Sequence, residues 1–113
     1  MSRITTHVLD TARGRPAAGV RVRLERLSGS GVELLGQGST DDDGRLRDLV
    51  VGGATLAEGS YRLVFDTATY FAAHDVVAFY PQVAIDFDVS DASQHYHVPL
   101  LLSPYAYSTY RGS

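Results

Sequence analysis

Apolar and polar side chains take turns along short runs of this chain, and that period of two limits its folding more than any other feature. In residues 20–27, Val20, Val22 and Leu24 alternate with Arg21, Arg23 and Glu25. In residues 83–89, Val83, Ile85, Phe87 and Val89 alternate with Ala84, Asp86 and Asp88. Successive side chains of a strand point to opposite faces, so such a run buries one face and wets the other. The same reading predicts strands over residues 4–9, 32–39, 61–66, 95–102 and 105–110, and a short one over 45–48. Turn formers separate them: a loop over residues 10–19, Ser28-Gly-Ser-Gly31, an acidic turn ending at Gly44, and an irregular stretch over residues 49–60 with Gly52, Gly53 and Gly59. Gly36 and Gly38 inside one strand predict a bulge.

One short helix is expected over residues 67–75, where alanines follow Asp66 and Thr67, either of which can cap the first turn. It contains His74. Seven to eight short strands with one brief helix predict an all-β chain, a single domain over residues 1–113 folded as an antiparallel β-sandwich. At 113 residues such a domain buries a core without metals or disulfides.

Composition removes several chemistries. There is no cysteine, hence no disulfide, no thiolate metal site and no cysteine nucleophile. All ten cations are arginine and the net charge is −3, which leaves no Schiff-base lysine and no basic stripe for nucleic acid. No signal segment or membrane-length apolar run is seen, so the chain reads as soluble and cytoplasmic, with no membrane partner. No Gly-x-Ser-x-Gly elbow or phosphate loop occurs.

The groups left to move protons or hold charge are four histidines, the arginines and the tyrosines. In residues 95–102, Tyr96, Val98, Leu100 and Leu102 make the better core face, which turns His95, His97, Pro99 and Leu101 away from it. In residues 4–9, Ile4, Thr6 and Val8 face inward and His7 lies on the other side with Thr5 and Leu9. His95 and His97 have the spacing for two metal ligands, yet no cysteine or carboxylate joins them. Thr40-Asp-Asp-Asp-Gly-Arg45 has the charge of a calcium loop but neither its oxygen spacing nor its distal glutamate, and reads as an acidic turn in which Gly44 supplies the unusual backbone angle. Ser103-Pro104 breaks the last run, so residues 105–110 return antiparallel to residues 95–102. The chain then stops on Tyr110-Arg111-Gly112-Ser113.

That ending resembles the C-terminal signature of the 5-hydroxyisourate hydrolases, the transthyretin-like enzymes of purine breakdown. Two further blocks carry the likeness: Ile4-Thr-Thr-His7-Val-Leu-Asp-Thr-Ala-Arg-Gly-Arg-Pro-Ala-Ala-Gly-Val20, and the Asp-Gly-Arg turn closing at Arg45. Ala106 stands where the family often has glycine and touches no functional group. The resemblance implies a transthyretin-like fold and a homotetramer, a dimer of dimers, whose subunits meet at the active site. It implies hydrolysis of 5-hydroxyisourate without metal or cofactor. His7, Arg45, His97 and Ser113 are the catalytic residues it points to; His7, Arg45, Tyr110, Arg111 and Gly112 are those it assigns to substrate binding. Transthyretin itself, a carrier, is similar over residues 101–109. Carrier-type relatives continue with apolar residues after that threonine, whereas this chain has Tyr-Arg-Gly-Ser.

Overall fold

The computed structural model describes residues 4–49 and 56–113. Among the described residues, nine strands and one helix follow one another as β1 (Ile4–Asp10), β2 (Arg15–Pro16), β3 (Arg21–Ser28), β4 (Gly31–Ser39), β5 (Arg45–Leu46), β6 (Gly59–Asp66), α1 (Thr67–Ala72), β7 (Val83–Val89), β8 (Tyr96–Leu102) and β9 (Tyr107–Thr109). They form two sheets, one in the order β2-β1-β8-β9 with β5 also alongside β1, the other in the order β4-β3-β6-β7. The core fills the space between them. From β1 it takes Ile4 and Val8, from β3 Val22 and Leu24, from β6 Tyr61, Leu63 and Phe65, and from β8 Tyr96, Val98, Leu100 and Leu102. These are the inward positions of the alternating pattern, and burying each large side chain contributes about 1.5–3 kcal/mol. That preference fixes which face of each strand looks outward.

The sandwich is antiparallel with one exception. β1 and β8 run parallel, from Ile4 beside Tyr96 to Asp10 beside Leu102. No hairpin joins these two strands, which come from opposite ends of the chain, so nothing local imposes the antiparallel direction. Thr6 reinforces the pair by donating its hydroxyl to the Val98 carbonyl at 2.7 Å.

Several boundaries differ from the sequence expectations, each for a local reason. β2 lies inside the expected 10–19 loop, where Leu9 and Asp10 pair with Pro16 and Arg15. The expected bulge is present: Leu24 pairs with Gly36 but Glu25 pairs with Leu34, leaving Leu35 over. β6 starts at Gly59, earlier than expected, because Gly59 pairs with Val89 of β7. Gly52 and Gly53 lie outside the described residues. The helix stops at Ala72, and Asp66 is its cap, accepting from the backbone N–H of Thr69 at 3.2 Å and from its hydroxyl at 2.8 Å. His74 therefore sits in the turn after the helix, before Asp75 at φ 57°. β9 is shorter than residues 105–110 because Ser103 and Ala106 close a turn, with the Ser103 N–H donating to the Ala106 carbonyl at 2.9 Å.

Candidate active site

Three adjacent strands, β5, β1 and β8, carry the site on the outward face of one sheet. Their registers place Arg45 beside His7, and Thr5 beside His97. Paired residues of neighbouring strands point the same way at a spacing of about 4.8 Å, and alternate residues share a face. Arg45, His7, Thr5 and His97 are thus brought to one surface by the pattern that builds the core beneath them. A cleft of about 230 Å³ opens there, lined by Thr5, Arg45, Arg47, His95, His97 and Ser113 among others.

Each histidine of the face is held by a defined partner. His7 Nε2 lies 2.9 Å from the Asp43 carbonyl oxygen. A carbonyl only accepts, so Nε2 carries the hydrogen and Nδ1 of the neutral ring is left as an acceptor. His97 Nδ1 lies 2.8 Å from the Thr5 hydroxyl oxygen, which is also 3.0 Å from His95 Nε2. The two imidazoles are nearly parallel, with centroids 6.4 Å apart and an interplanar angle of 16°. Partial burial holds the His97 pKa below the ordinary 6.5, with Arg45, His95 and His7 adding positive charge in the same sense, against a weaker opposing hydrogen bond at the Thr5 backbone. A neutral imidazole half-buried beside an arginine can take a proton from water while the arginine meets a developing negative charge.

The acidic turn serves the placement of Arg45. Asp41 Oδ1 accepts from the N–H groups of Asp43 and Arg45, both at 2.9 Å, and the Gly44 N–H donates to the Asp41 carbonyl at 2.9 Å. Those backbone donors and the nearby arginines hold the Asp41 pKa below 3.8, the Arg45 N–H first among them. Gly44 adopts φ 75°, and its carbonyl accepts from the Val8 N–H at 2.7 Å. A Cβ at that position would stand 2.4 Å from the Val8 carbonyl oxygen. Gly44→Ala is therefore expected to cost about 2 kcal/mol or more, from the left-handed backbone and the overlap together. A melting temperature unchanged by that substitution would contradict this picture of the turn.

The terminal segment divides. Gly112 forms a bridge to His97, donating its N–H to the His97 carbonyl at 2.8 Å. A Cβ on Gly112 would lie 2.6 Å from His97 Cδ2, so only glycine lets the backbone cross here. Ser113 then reaches the cleft. Tyr110 and Arg111 do not; they border a second cleft of about 280 Å³ between β7 and β8. The Arg111 guanidinium stacks 4.4 Å from the centre of the Tyr96 ring and donates to Gln94 Oε1 at 2.9 Å. Gly112, expected at the substrate, has its N–H committed to His97.

Thr5, His95 and Arg47 join the site without having been singled out for it. Thr5 shared a face with His7 in the alternation, and this was the available signal; a threonine there reads as ordinary strand sequence. His95 reads in the sequence only as a candidate metal ligand. Among the described residues no three His, Cys, Asp or Glu side chains cluster to hold a metal. His74 lies away from the cleft, against Tyr70 and Arg13.

Known proteins share this architecture. The family model described as "HIUase/Transthyretin family" matches residues 4–112. A 5-hydroxyisourate hydrolase of Caulobacter vibrioides is 51% identical, over 100% of both chains. Among solved structures, the 5-hydroxyisourate hydrolase of Klebsiella pneumoniae is 37% identical with a TM-score of 0.83, covering 97% of this chain and 98% of its own. Sea bream transthyretin in complex with thyroxine is 27% identical with a TM-score of 0.90, over 98% and 95% of the two chains. By its matched length, its identities and its sandwich, the chain belongs to the HIUase/transthyretin family.

Proposed function

We propose that this protein hydrolyses 5-hydroxyisourate, opening its six-membered ring to 2-oxo-4-hydroxy-4-carboxy-5-ureidoimidazoline in urate degradation. The observation that carries the proposal is the convergence of His7, Arg45 and His97 on one outward face, beside a cleft that Ser113 reaches. Relatives of about half identity over the full chain bear the name of that hydrolase.

In this reading His97 is the base. With its Nδ1 hydrogen donated to the Thr5 hydroxyl, its bare Nε2 takes a proton from water as the oxygen attacks the ring carbonyl. Arg45 meets the oxyanion with a permanent charge and a planar fork of donors. Collapse breaks the carbon–nitrogen bond, the proton on His97 passes to the leaving nitrogen, and the former carbonyl becomes a carboxylic acid that releases its proton to solvent as the carboxylate. His7, with its bare Nδ1, accepts a hydrogen bond from a ring N–H or from the water. Ser113 closes one side of the cleft. Tyr110 and Arg111 act here as anchors of the terminal segment, and Gly112 passes it across His97. No step calls for a metal or cofactor.

The strongest case for a carrier is the close superposition on a thyroxine-binding transthyretin. Fold alone does not decide between the two, because function resides in the site. A pair of histidines and an arginine around a cleft suits a polar, ring-opening substrate. NMR of the products formed with and without the protein separates the readings: faster formation of the ring-opened carboxylate supports hydrolysis, and an unchanged course supports the carrier.

We further propose a homotetramer, a dimer of dimers. Tyr105 is 73% exposed, Phe79 68% and Tyr107 41%, a band of aromatic surface that an isolated subunit leaves wet. The edges of β7 and β9 pair with no further strand among the described residues. Light scattering is expected to give about four times the 12.2 kDa chain. A monomer at micromolar concentration would remove the tetramer. Among the described residues no helix is long and apolar enough to cross a membrane. The compartment we propose is the cytoplasm, whose reducing conditions suit a chain without cysteine.

A further inference from the structure

Thr5 is only 7% exposed, and its single hydroxyl touches two imidazoles, His97 Nδ1 at 2.8 Å and His95 Nε2 at 3.0 Å. A hydroxyl has one hydrogen to give and lone pairs to accept with. When it donates to one ring it accepts from the other, so the proton positions of the two rings are tied together. We propose that Thr5 and His95 are positioning residues, the hydroxyl letting a His95 that is bare at Nε2 keep Nε2 of His97 bare for the proton of water. This deepens the hydrolase reading and rests on it.

Two arrangements satisfy the hydroxyl. In the first, His95 accepts from Thr5 at a bare Nε2, His97 donates its Nδ1 hydrogen to Thr5, and His97 Nε2 is bare. In the second, His95 carries its hydrogen on Nε2 and points it at Thr5. The hydroxyl then turns to His97 Nδ1. His97 stays neutral, but its one proton has moved, by exchange with water in the cleft, from Nδ1 to Nε2. The base is closed without His97 changing charge. His95 is exposed, whereas His97 is half-buried.

The charged groups around the pair reinforce the arrangement. His7 on β1 and Arg45 on β5 bear on His97. Arg47 lines the same cleft, with Ser113 at its edge, and the Arg111 guanidinium lies 3.5 Å from the His95 carbonyl oxygen. Arg45 disfavours a positive charge on His97, which leaves movement of its proton between nitrogens as its response to the proton position on His95.

Ring-nitrogen NMR of the 113-residue protein, together with kcat/KM, tests the proposal. At neutral pH the His97 proton is expected on Nδ1 in the native protein, and moved largely to Nε2 in Thr5→Val. Thr5→Val should lower kcat/KM about tenfold, the usual scale for an outer partner of a working group, while Thr5→Ser retains it. His95→Leu, which leaves the hydroxyl free to donate to His97 Nδ1, should shift the His97 proton toward Nε2. A His97 proton on Nε2 in the native protein at neutral pH overturns the proposal, as does a Thr5→Ser variant as slow as Thr5→Val. If the native protein fails to turn over 5-hydroxyisourate, the hydrolase reading falls alone; the NMR measurement still decides whether Thr5 sets the tautomer.

Discussion

His97→Asn is expected to lower kcat/KM by at least about a hundredfold, equivalent to about 2.7 kcal/mol of transition-state stabilisation. Asparagine keeps a side-chain amide to meet the Thr5 hydroxyl and fills much of the same volume. It has no nitrogen that titrates near neutrality, so the base alone is lost. The fold should survive, because His97 belongs to the outward face of β8 while Tyr96, Val98, Leu100 and Leu102 hold the strand in the core. The pH profile gives a second handle. Burial and neighbouring cations place the His97 pKa below 6.5, so the neutral, active form persists to a lower pH than a free imidazole allows. The acid limb of kcat/KM in the native protein should therefore begin below pH 6.5, and activity should be lost as pH falls through the lowered value. A His97→Asn variant as fast as the native protein would assign the base elsewhere, to His7 first.

Arg45→Ala should lower kcat by a comparable amount, about a hundredfold to a thousandfold, the scale of losing one donor to an oxyanion. The loss should appear in kcat more than in KM, because the charge on the attacked oxygen develops only in the transition state. Arg45→Lys should recover only part of it, since a point charge replaces a planar fork. The backbone of the turn supplies the structural control: Arg45 donates its N–H to Asp41 and pairs with His7 through the main chain, neither of which alanine disturbs. A loss confined to KM would make Arg45 a substrate anchor that leaves the chemistry to others.

Much of this was legible in the residues because one physical rule, burial of alternate side chains, sets both the core and its opposite face. Val98 and Leu100 had to point inward, and His97 was thereby turned out; Ile4 and Val8 did the same for His7. The acidic turn was readable through Gly44, the residue able to take a positive φ where a Cβ would strike Val8. Registers between distant strands were not readable. Nothing local in residues 4–9 states that they lie parallel to residues 95–102, so the meeting of Thr5 with both His95 and His97 stayed hidden although the face of each was assigned. The terminal segment was hidden for a similar reason. Tyr110, Arg111, Gly112 and Ser113 are contiguous in sequence, yet the bridge from Gly112 to His97 sends Ser113 into one cleft while Arg111 stacks on Tyr96 beside another.

The central claim is that this face opens the ring of 5-hydroxyisourate, and the decay of that compound tests it most directly. Urate oxidase generates the unstable substrate in a cuvette, and its near-ultraviolet absorbance is followed alone, with the native protein and with the His97→Asn variant. Decay is expected to accelerate in proportion to native protein and to return close to the uncatalysed rate with the variant. Decay that is indifferent to the native protein would contradict the claim.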